Sequence, residues 1–307
     1  MQKNLVLSSI GIGTYLGNAD EATDRNYVNA IVRAVQLGVN VIDSAANYRF
    51  QRSERSIGQA LKILTVEHGF SREELVICTK GGYLPFDGAP PRNVRDYVNE
   101  TFVKPGIASF EDFVAGSHCM TPAYLQNQLD QSLRNMGLEY VDVYYVHNPE
   151  SQLGEVSIDE FYSRLKLAFE RLEQNRTDGK LAYYGVATWN GFRSAPDSGR
   201  HHSLVRMFEI AREVGGDDHG FRFIQLPFNL AMQEALTLAN ETLDGDKITV
   251  LDAAKRLGVT VVASASLLQG RIDRKTAIEF VRTVPEITTA LIGMSRVEHV
   301  EENLRHD

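Results

Sequence analysis

Short apolar runs recur along the chain, and in the stretches between them apolar positions return every three or four residues. The runs fall at 10–13, 39–42, 75–79, 141–146, 183–188, 223–226, 259–264 and 289–293. They do not alternate apolar with polar, so each is expected to be a strand covered on both faces, as in a parallel sheet. The intervening stretches read as helices. The first spans 24–37, with Val28, Ile31, Val32 and Val35 on one stripe and Gly38 as its stop. Others follow at 53–64, 158–175, 203–214, 249–257, 275–282 and 297–304. A further helix over 121–136 opens with Thr121 as N-cap and Pro122 in the first turn. Eight strand–helix alternations without a linker predict a (β/α)8 TIM barrel, a single domain over residues 1–307, with a hairpin-like stretch before the first strand. A doubly wound open sheet is the alternative arrangement of the same elements.

In a parallel barrel the reacting groups sit where the C-terminal ends of the strands meet the loops that follow. Asp43, Lys80 and His147 each terminate an apolar run, and Thr188, Gln225 and Ser264 hold equivalent ends. Tyr48 lies five residues beyond Asp43, in a segment too polar and too short to be another strand. Taken singly, each reads as a cap or rim residue; closing a barrel makes them neighbours. A phenol is a poor acid, with an ordinary pKa near ~10. An ammonium from Lys80 within a few ångströms is expected to lower it, with Asp43 keeping that lysine charged and aimed. His147 is placed to hydrogen-bond the same substrate oxygen. Such a set protonates and stabilises a developing alkoxide and offers no nucleophile, so it suits carbonyl reduction given a hydride source.

The connection over 81–119 is far longer than an ordinary strand-to-helix link. It carries Tyr83, Phe86, Tyr97, Phe102, Phe110, Phe113 and His118. This long loop after the third strand is expected to be ordered and to pack over the barrel mouth; the plainer alternative is a satellite cluster on the barrel's side. Trp189, the only tryptophan, and the 228–246 segment are further candidates for pocket walls.

Composition narrows the partners. With 307 residues, 43% of them hydrophobic, the chain can bury a large core, and its net charge of −8 with no long basic run argues against a nucleic-acid partner. Cys78 sits in a strand and Cys119 in a loop, with no CxxC pair, so neither a disulfide framework nor a cysteine metal site is expected. His201, His202 and His219 lie among glycine, aspartate and serine residues and read as surface histidines. The HxH pair of a metal-dependent barrel hydrolase is absent from the sequence, so no metal is expected. The first ten residues are too short and polar for a signal peptide, and no apolar run approaches the roughly 18 residues of a membrane span. A cytoplasmic enzyme meeting neither membrane nor nucleic acid is the expectation. Gly11, Gly13 and Gly17 match GxGxxG weakly and lack the acidic residue of a dinucleotide unit, so they read as a first strand and its turn.

Several motifs together resemble the aldo-keto reductase superfamily. They are Asp43-Ser44-Ala45-Ala46-Asn47-Tyr48 with Ser53-Glu54 and Ile57-Gly58-x-Ala60-Leu61, then Thr79-Lys80, then 140–149 ending in His147-Asn148-Pro149, then Gly179-Lys180-Leu181 and Ile292-Gly293-Met294-Ser295-Arg296. The resemblance covers nearly the whole chain and implies an NADP(H)-binding barrel with Asp43, Tyr48, Lys80 and His147 as its catalytic tetrad. By the same resemblance Gly13, Thr14, Tyr15 and Asp43 lie beside the nicotinamide, Gln225 binds its carboxamide, and Thr188 stands where an amide side chain is usual. Thr188 reads equally as a strand-end cap. The 264–271 segment, with Ser264, Leu267, Gly270 and Arg271, resembles the pyrophosphate loop. Ser295 and Arg296 correspond to 2′-phosphate ligands, and Glu302 and Asn303 to adenine contacts. Ser264 replaces the stacking aromatic of many members, and Met294 replaces a nearby lysine, which leaves NAD(H) as the alternative cofactor. The chain stops four residues past Asn303, without the longer C-terminal loop found in many members, so selectivity is expected from 81–119, Trp189 and 228–246.

The activity this implies is NADPH-dependent reduction of an aldehyde or ketone to its alcohol. Oxidation of an alcohol or aldose is the reverse direction of the same chemistry. A cofactor-holding regulatory subunit of a membrane channel, with slow turnover, is the reading from a different class.

Overall fold

The computed structural model describes residues 5–271 and 273–304. Eight parallel strands form a closed barrel: β1 (Ile10–Gly13), β2 (Val41–Asp43), β3 (Val76–Gly81), β4 (Val141–His147), β5 (Leu181–Ala187), β6 (Phe221–Pro227), β7 (Thr260–Ser264) and β8 (Ile287–Gly293). β1 closes the cylinder by pairing with both β2 and β8: Gly11 faces Val41 on one side and Leu291 on the other. The barrel is thus the predicted one, with strand ends shifted by at most two residues.

The alternation hidden in the apolar runs becomes visible once the barrel closes. Ile42, Ile77, Tyr144, Val146, Ile224 and Ile292 point outward into the main core under the helices. Val41, Val76, Cys78, Val143, Tyr145 and Phe223 point inward and fill the cylinder. Each fully buried leucine- or isoleucine-sized side chain contributes about 1.5–3 kcal/mol, so both sets are needed. Residues 5–8 form no hairpin. Instead Leu5 and Leu7 pack against the inward cluster and plug its base, while Asn40 donates to the Val6 carbonyl at 2.7 Å.

Local chemistry sets the helix ends. Helix Glu21–Gln36 starts at Asp20, whose carboxylate accepts from Thr23 N at 2.7 Å, and its buried stripe includes Tyr27, Val28, Ile31 and Val35. Helix Pro122–Met136 starts after Thr121 as expected, but the Thr121 side chain makes no capping bond. Glu54, fully buried on helix Arg52–Val66, accepts from Thr79 Oγ1 at 2.6 Å and Asn135 Nδ2 at 2.8 Å, tying that helix to β3 and to helix Pro122–Met136.

The long connection after β3 does two jobs. Its body is a satellite cluster: Leu84, Val98, Phe102 and Phe113 pack on Tyr124 of helix Pro122–Met136, with Phe86, Tyr97 and Phe110 around them. Its two ends are zipped together, Leu84 N donating to Ser117 O at 2.7 Å and Cys119 N to Gly82 O at 2.8 Å. Beyond that stem, Phe86 and Gly88 meet the segment after β2, Gly88 N donating to Phe50 O at 2.9 Å and Gln51 Nε2 to Phe86 O at 3.1 Å. The 228–246 segment holds a short helix, Glu234–Thr237, and runs into a two-stranded hairpin, Glu241–Leu243 with Asp246–Ile248. The histidines expected at the surface are not there: His202 and His219 are buried, His202 against Phe161 and Phe192.

Candidate active site

Beyond the strand ends the hydrogen-bond ladder continues around the mouth. Ser44 N donates to Cys78 O at 2.9 Å, Ala46 N to Lys80 O at 3.0 Å, Asn148 N to Ala187 O at 2.6 Å and Thr188 N to Gln225 O at 2.8 Å. The segment after β2 consequently rides along the end of β3, which brings Tyr48 back beside Lys80. Lys80 Nζ lies 5.1 Å from the centre of the Tyr48 ring. It donates to Asp43 Oδ1 at 2.5 Å and to the Ser44 carbonyl at 2.7 Å. Gln225 Nε2 holds the other oxygen, Asp43 Oδ2, at 2.9 Å. The Tyr48 ring packs edge-on against Tyr15 at 5.0 Å and against His147 at 5.7 Å. Asp43, Tyr48, Lys80 and His147, scattered over more than a hundred positions in sequence, thus share one end of the barrel.

Electrostatics follow from burial. Burial works against the Lys80 charge, yet the Asp43 carboxylate and the neighbouring Tyr48 oxygen outweigh it and hold the lysine pKa above its ordinary value. Burial raises the Asp43 pKa, and Lys80 and Gln225 pull it back. For Tyr48 the expectation is overturned: its pKa is raised, because desolvation of a phenolate outweighs the pull of Lys80, and the Asp43 charge adds to the rise. His147 is pushed well below the usual imidazole range, first by burial and then by Lys80, so it is neutral. Its Nδ1 is buried and has no partner among the described residues.

The other expected site residues divide by surroundings. Thr14 is buried and ties β1 to β2, its hydroxyl donating to the Asp43 carbonyl at 3.0 Å, whereas Tyr15 stands exposed at the rim beyond half-buried Gly13. Thr188 is buried with its hydroxyl unpartnered among the described residues, and so are Ser266 Oγ and Asn303 Oδ1. Ser264 is half-buried at the end of β7 and its carbonyl accepts from Phe228 N at 3.0 Å. The turn after it bends through left-handed Ala265 and Leu268, with Leu267 packed on the core and Gly270 and Arg271 exposed. Ser295 is half-buried and Arg296 exposed. Glu302 is engaged by Arg274 at 2.5 Å. Met294 is fully buried in the main core. Trp189 is 42% exposed at the exit of β5.

Sequence reasoning passed over three residues. Glu150 accepts from the main-chain N–H groups of Trp189 and Asn190 at 2.7 and 2.8 Å, bracing the loop that carries the tryptophan; its place two residues after His147-Asn148 was the available signal. Ser266 lies inside the 264–271 segment but was not singled out. His118 was counted among the loop aromatics, yet its ring Nε2 meets the His147 carbonyl at 2.7 Å.

The fit of a nicotinamide dinucleotide can be judged from these groups. Three buried polar atoms without partners, a tight turn beyond β7 and an exposed guanidinium at the start of the last helix are the donor and acceptor types that such a cofactor's amide, pyrophosphate and ribose would use. Among the described residues no cluster of three or more histidine, cysteine, aspartate or glutamate side chains could hold a metal, and no helix is long and apolar enough to cross a membrane.

A closed parallel barrel with a buried acid–lysine pair, a phenol and a neutral imidazole at its C-terminal mouth defines an oxidoreductase-type site. The sequence matches the model of the aldo/keto reductase family over residues 9–202, and the chain belongs to that family. Among its relatives, a putative voltage-gated potassium channel subunit beta from Schizosaccharomyces pombe is 24% identical over 339 aligned positions, covering 99% of this chain and 86% of that protein. An NADH-specific methylglyoxal reductase from Escherichia coli is 26% identical, covering 60% of this chain and 49% of that one, so the match takes in about half of its length. In three dimensions the fold is shared with an aldo-keto reductase from Klebsiella pneumoniae solved with NADPH, at a TM-score of 0.62 and 18% identity, over 97% of this chain and 84% of the other.

Proposed function

We propose that this chain is a cytoplasmic NADPH-dependent reductase that converts an aldehyde or ketone to its alcohol, with Tyr48 as the proton donor. The observation that carries the reading is the meeting of Tyr48, His147 and the buried Lys80–Asp43 pair at one end of the barrel. NADPH, when bound, would supply the hydride for the carbonyl carbon. Thr188, Gln225, Ser264, Ser266 and the turn through Leu267, Gly270 and Arg271 are the residues we assign to hold it, with Gly13, Thr14, Tyr15 and Asp43 on the nicotinamide side and Ser295, Arg296, Glu302 and Asn303 at the far end.

The protein's own share is orientation and proton supply. A neutral His147 donates a hydrogen bond from Nε2 to the carbonyl oxygen and aims it at the phenol. Burial keeps the proton on Tyr48 until an alkoxide begins to form. Lys80 then steadies the phenolate that remains, and Asp43 keeps the lysine charged and pointed without adding net charge to the cavity. Tyr48→Phe is expected to lower turnover by roughly 10²- to 10⁴-fold while NADPH still quenches protein fluorescence with unchanged affinity. A mutant that reduces carbonyls at the unsubstituted rate would refute the assignment.

Arg296 favours NADPH, since an exposed guanidinium suits a phosphate monoester. Met294, being buried in the core, adds nothing to that contact, and the E. coli relative bears the name of an NADH enzyme. We therefore read NADPH as preferred and NADH as accepted more weakly. Arg296→Ala should weaken NADPH binding about tenfold and leave NADH binding almost unchanged in parallel titrations; equal losses would assign the residue to something else. A second reading is favoured by the S. pombe relative, which aligns with nearly all of this chain and is named as a channel subunit: a cofactor-retaining regulatory protein with slow turnover. Rapid multiple turnovers on a panel of aldehydes, ketosteroids, quinones and aldoses decide between the two.

A further inference from the structure

We infer that His118 is a positioning residue for His147, its Nε2–H holding the His147 main-chain carbonyl and so fixing the end of β4 at the reaction centre. In its kinetic consequence this rests on the reductase reading above; in its hydrogen bonding it does not. The direction of every bond in the group can be worked out. A carbonyl oxygen only accepts, so His118 Nε2, 2.7 Å from His147 O, must carry the hydrogen. In a neutral imidazole Nδ1 is then an acceptor, and Gln152 Nε2 lies 3.0 Å from it. Gln152 has no freedom to turn round: Arg164 Nη1 donates to its Oε1 at 2.8 Å, while its Nε2 also donates to the His118 carbonyl at 3.2 Å. The donors therefore run one way, from Arg164 through Gln152 and His118 to His147 O.

Space and conformation agree with this. His118 is fully buried, and burial pushes its pKa down to about 4, so the neutral tautomer persists at ordinary pH. Gly82 makes room for it: a Cβ there would lie 2.9 Å from His118 Nε2 and 3.1 Å from His147 O, on a backbone with φ of +141°. The Tyr83 ring packs edge-on against both imidazoles at 5.1 Å. Just past His147 the chain swings through left-handed Asn148, φ 42°, so the carbonyl gripped by His118 sits at the pivot that aims the catalytic ring.

The test compares His118→Phe, which keeps a ring and loses both polar atoms, with His118→Gln, whose amide can replace the donor and the acceptor. With the full chain, kcat for carbonyl reduction should fall roughly 10- to 100-fold in His118→Phe, with NADPH affinity unchanged, and His118→Gln should recover most of it. In a His147→Ala background His118→Phe should cost less than about twofold, because a residue acting through His147 has nothing left to position. A His118→Phe enzyme within about twofold of the unsubstituted chain overturns the inference, as does equal loss in both His118 variants or an undiminished cost in the His147→Ala background. Nitrogen-15 NMR of the unsubstituted, histidine-labelled protein supplies the arm that needs neither folding of a variant nor activity. The expected result is an Nε2–H tautomer at His118 that does not titrate between about pH 5 and 8. An Nδ1–H tautomer, or titration in that interval, overturns the inference. A chain that reduces no carbonyl yet shows the expected tautomer would sink the reductase reading and leave this hydrogen bond standing.

Discussion

At the residue scale, the site depends on two charges that water does not reach. Lys80 is 1% exposed and Asp43 4%, so removing one partner strands the other. Asp43→Asn is therefore expected to cost about 3–5 kcal/mol in urea denaturation, far more than an exposed pair would. The pH dependence has a definite sign. Because the folded Lys80 pKa lies above its unfolded value of about 10.4, the pair's contribution is fully present below that pH and is lost as pH rises through the folded value. Asp43→Asn should flatten this alkaline limb; an unchanged limb would mean that the stabilisation comes from elsewhere. That Asp43, Tyr48, Lys80 and His147 would meet at one end of the barrel was legible because each follows an apolar run or lies just past one. The direction of the Tyr48 shift was not, because a sequence shows which charges are near and not how much solvent is excluded around them. His118 was illegible for a related reason: its partner is a main-chain carbonyl, which leaves no trace in residue type.

At the element scale, the seam between β5 and β6 is the least forgiving. The register slips there, Tyr184 pairing with Phe221 and Gly185 with Phe223, so Arg222 is passed over. A Cβ on Gly185 would stand 1.8 Å from Phe223 O, against backbone that cannot step aside. Gly185→Ala should accordingly destabilise the protein by about 3 kcal/mol or more, read as a shift in the urea midpoint; a neutral effect would show that the seam is looser than its geometry. No apolar pattern announces such a slip, since Arg222 reads as one more polar position near a strand start. The strands themselves were legible because a two-sided apolar covering produces long runs. The hairpin after β6 carried a clear sign in Asp244-Gly245, a turn dipeptide between its two short strands, which the reading of 228–246 as a pocket-wall loop passed over. The opening stretch shows the converse error: Leu5 and Leu7 were read as part of a hairpin when their partners are the inward-facing residues of the barrel, far away in sequence.

At the scale of the whole molecule, buried neutral histidines set an acid limit on stability. Burial lowers His118 to about 4 and His202 to about 3, while in the unfolded chain both titrate near about 6.5. Their contribution is complete above that value and drains away as pH falls toward the folded values, on the order of 3 kcal/mol for His118 and about 5 kcal/mol for His202. His202→Leu, which removes an imidazole unpartnered among the described residues from between Phe161 and Phe192, should lessen the acid-side slope and leave neutral-pH stability equal or higher. An unaltered slope would show that other groups govern acid unfolding.

The paired rails at Gly82–Leu84 and Ser117–Cys119 carry a last implication for how this architecture can change. Residues 85–116 hang from a stem tied to itself and are held besides by Tyr124 and by Phe50, Gln51 and Arg52, so a replacement for that appendage has to keep those contacts. Lengthening or replacing it would remodel what approaches from outside, while the imidazoles at its root stay in register with the barrel.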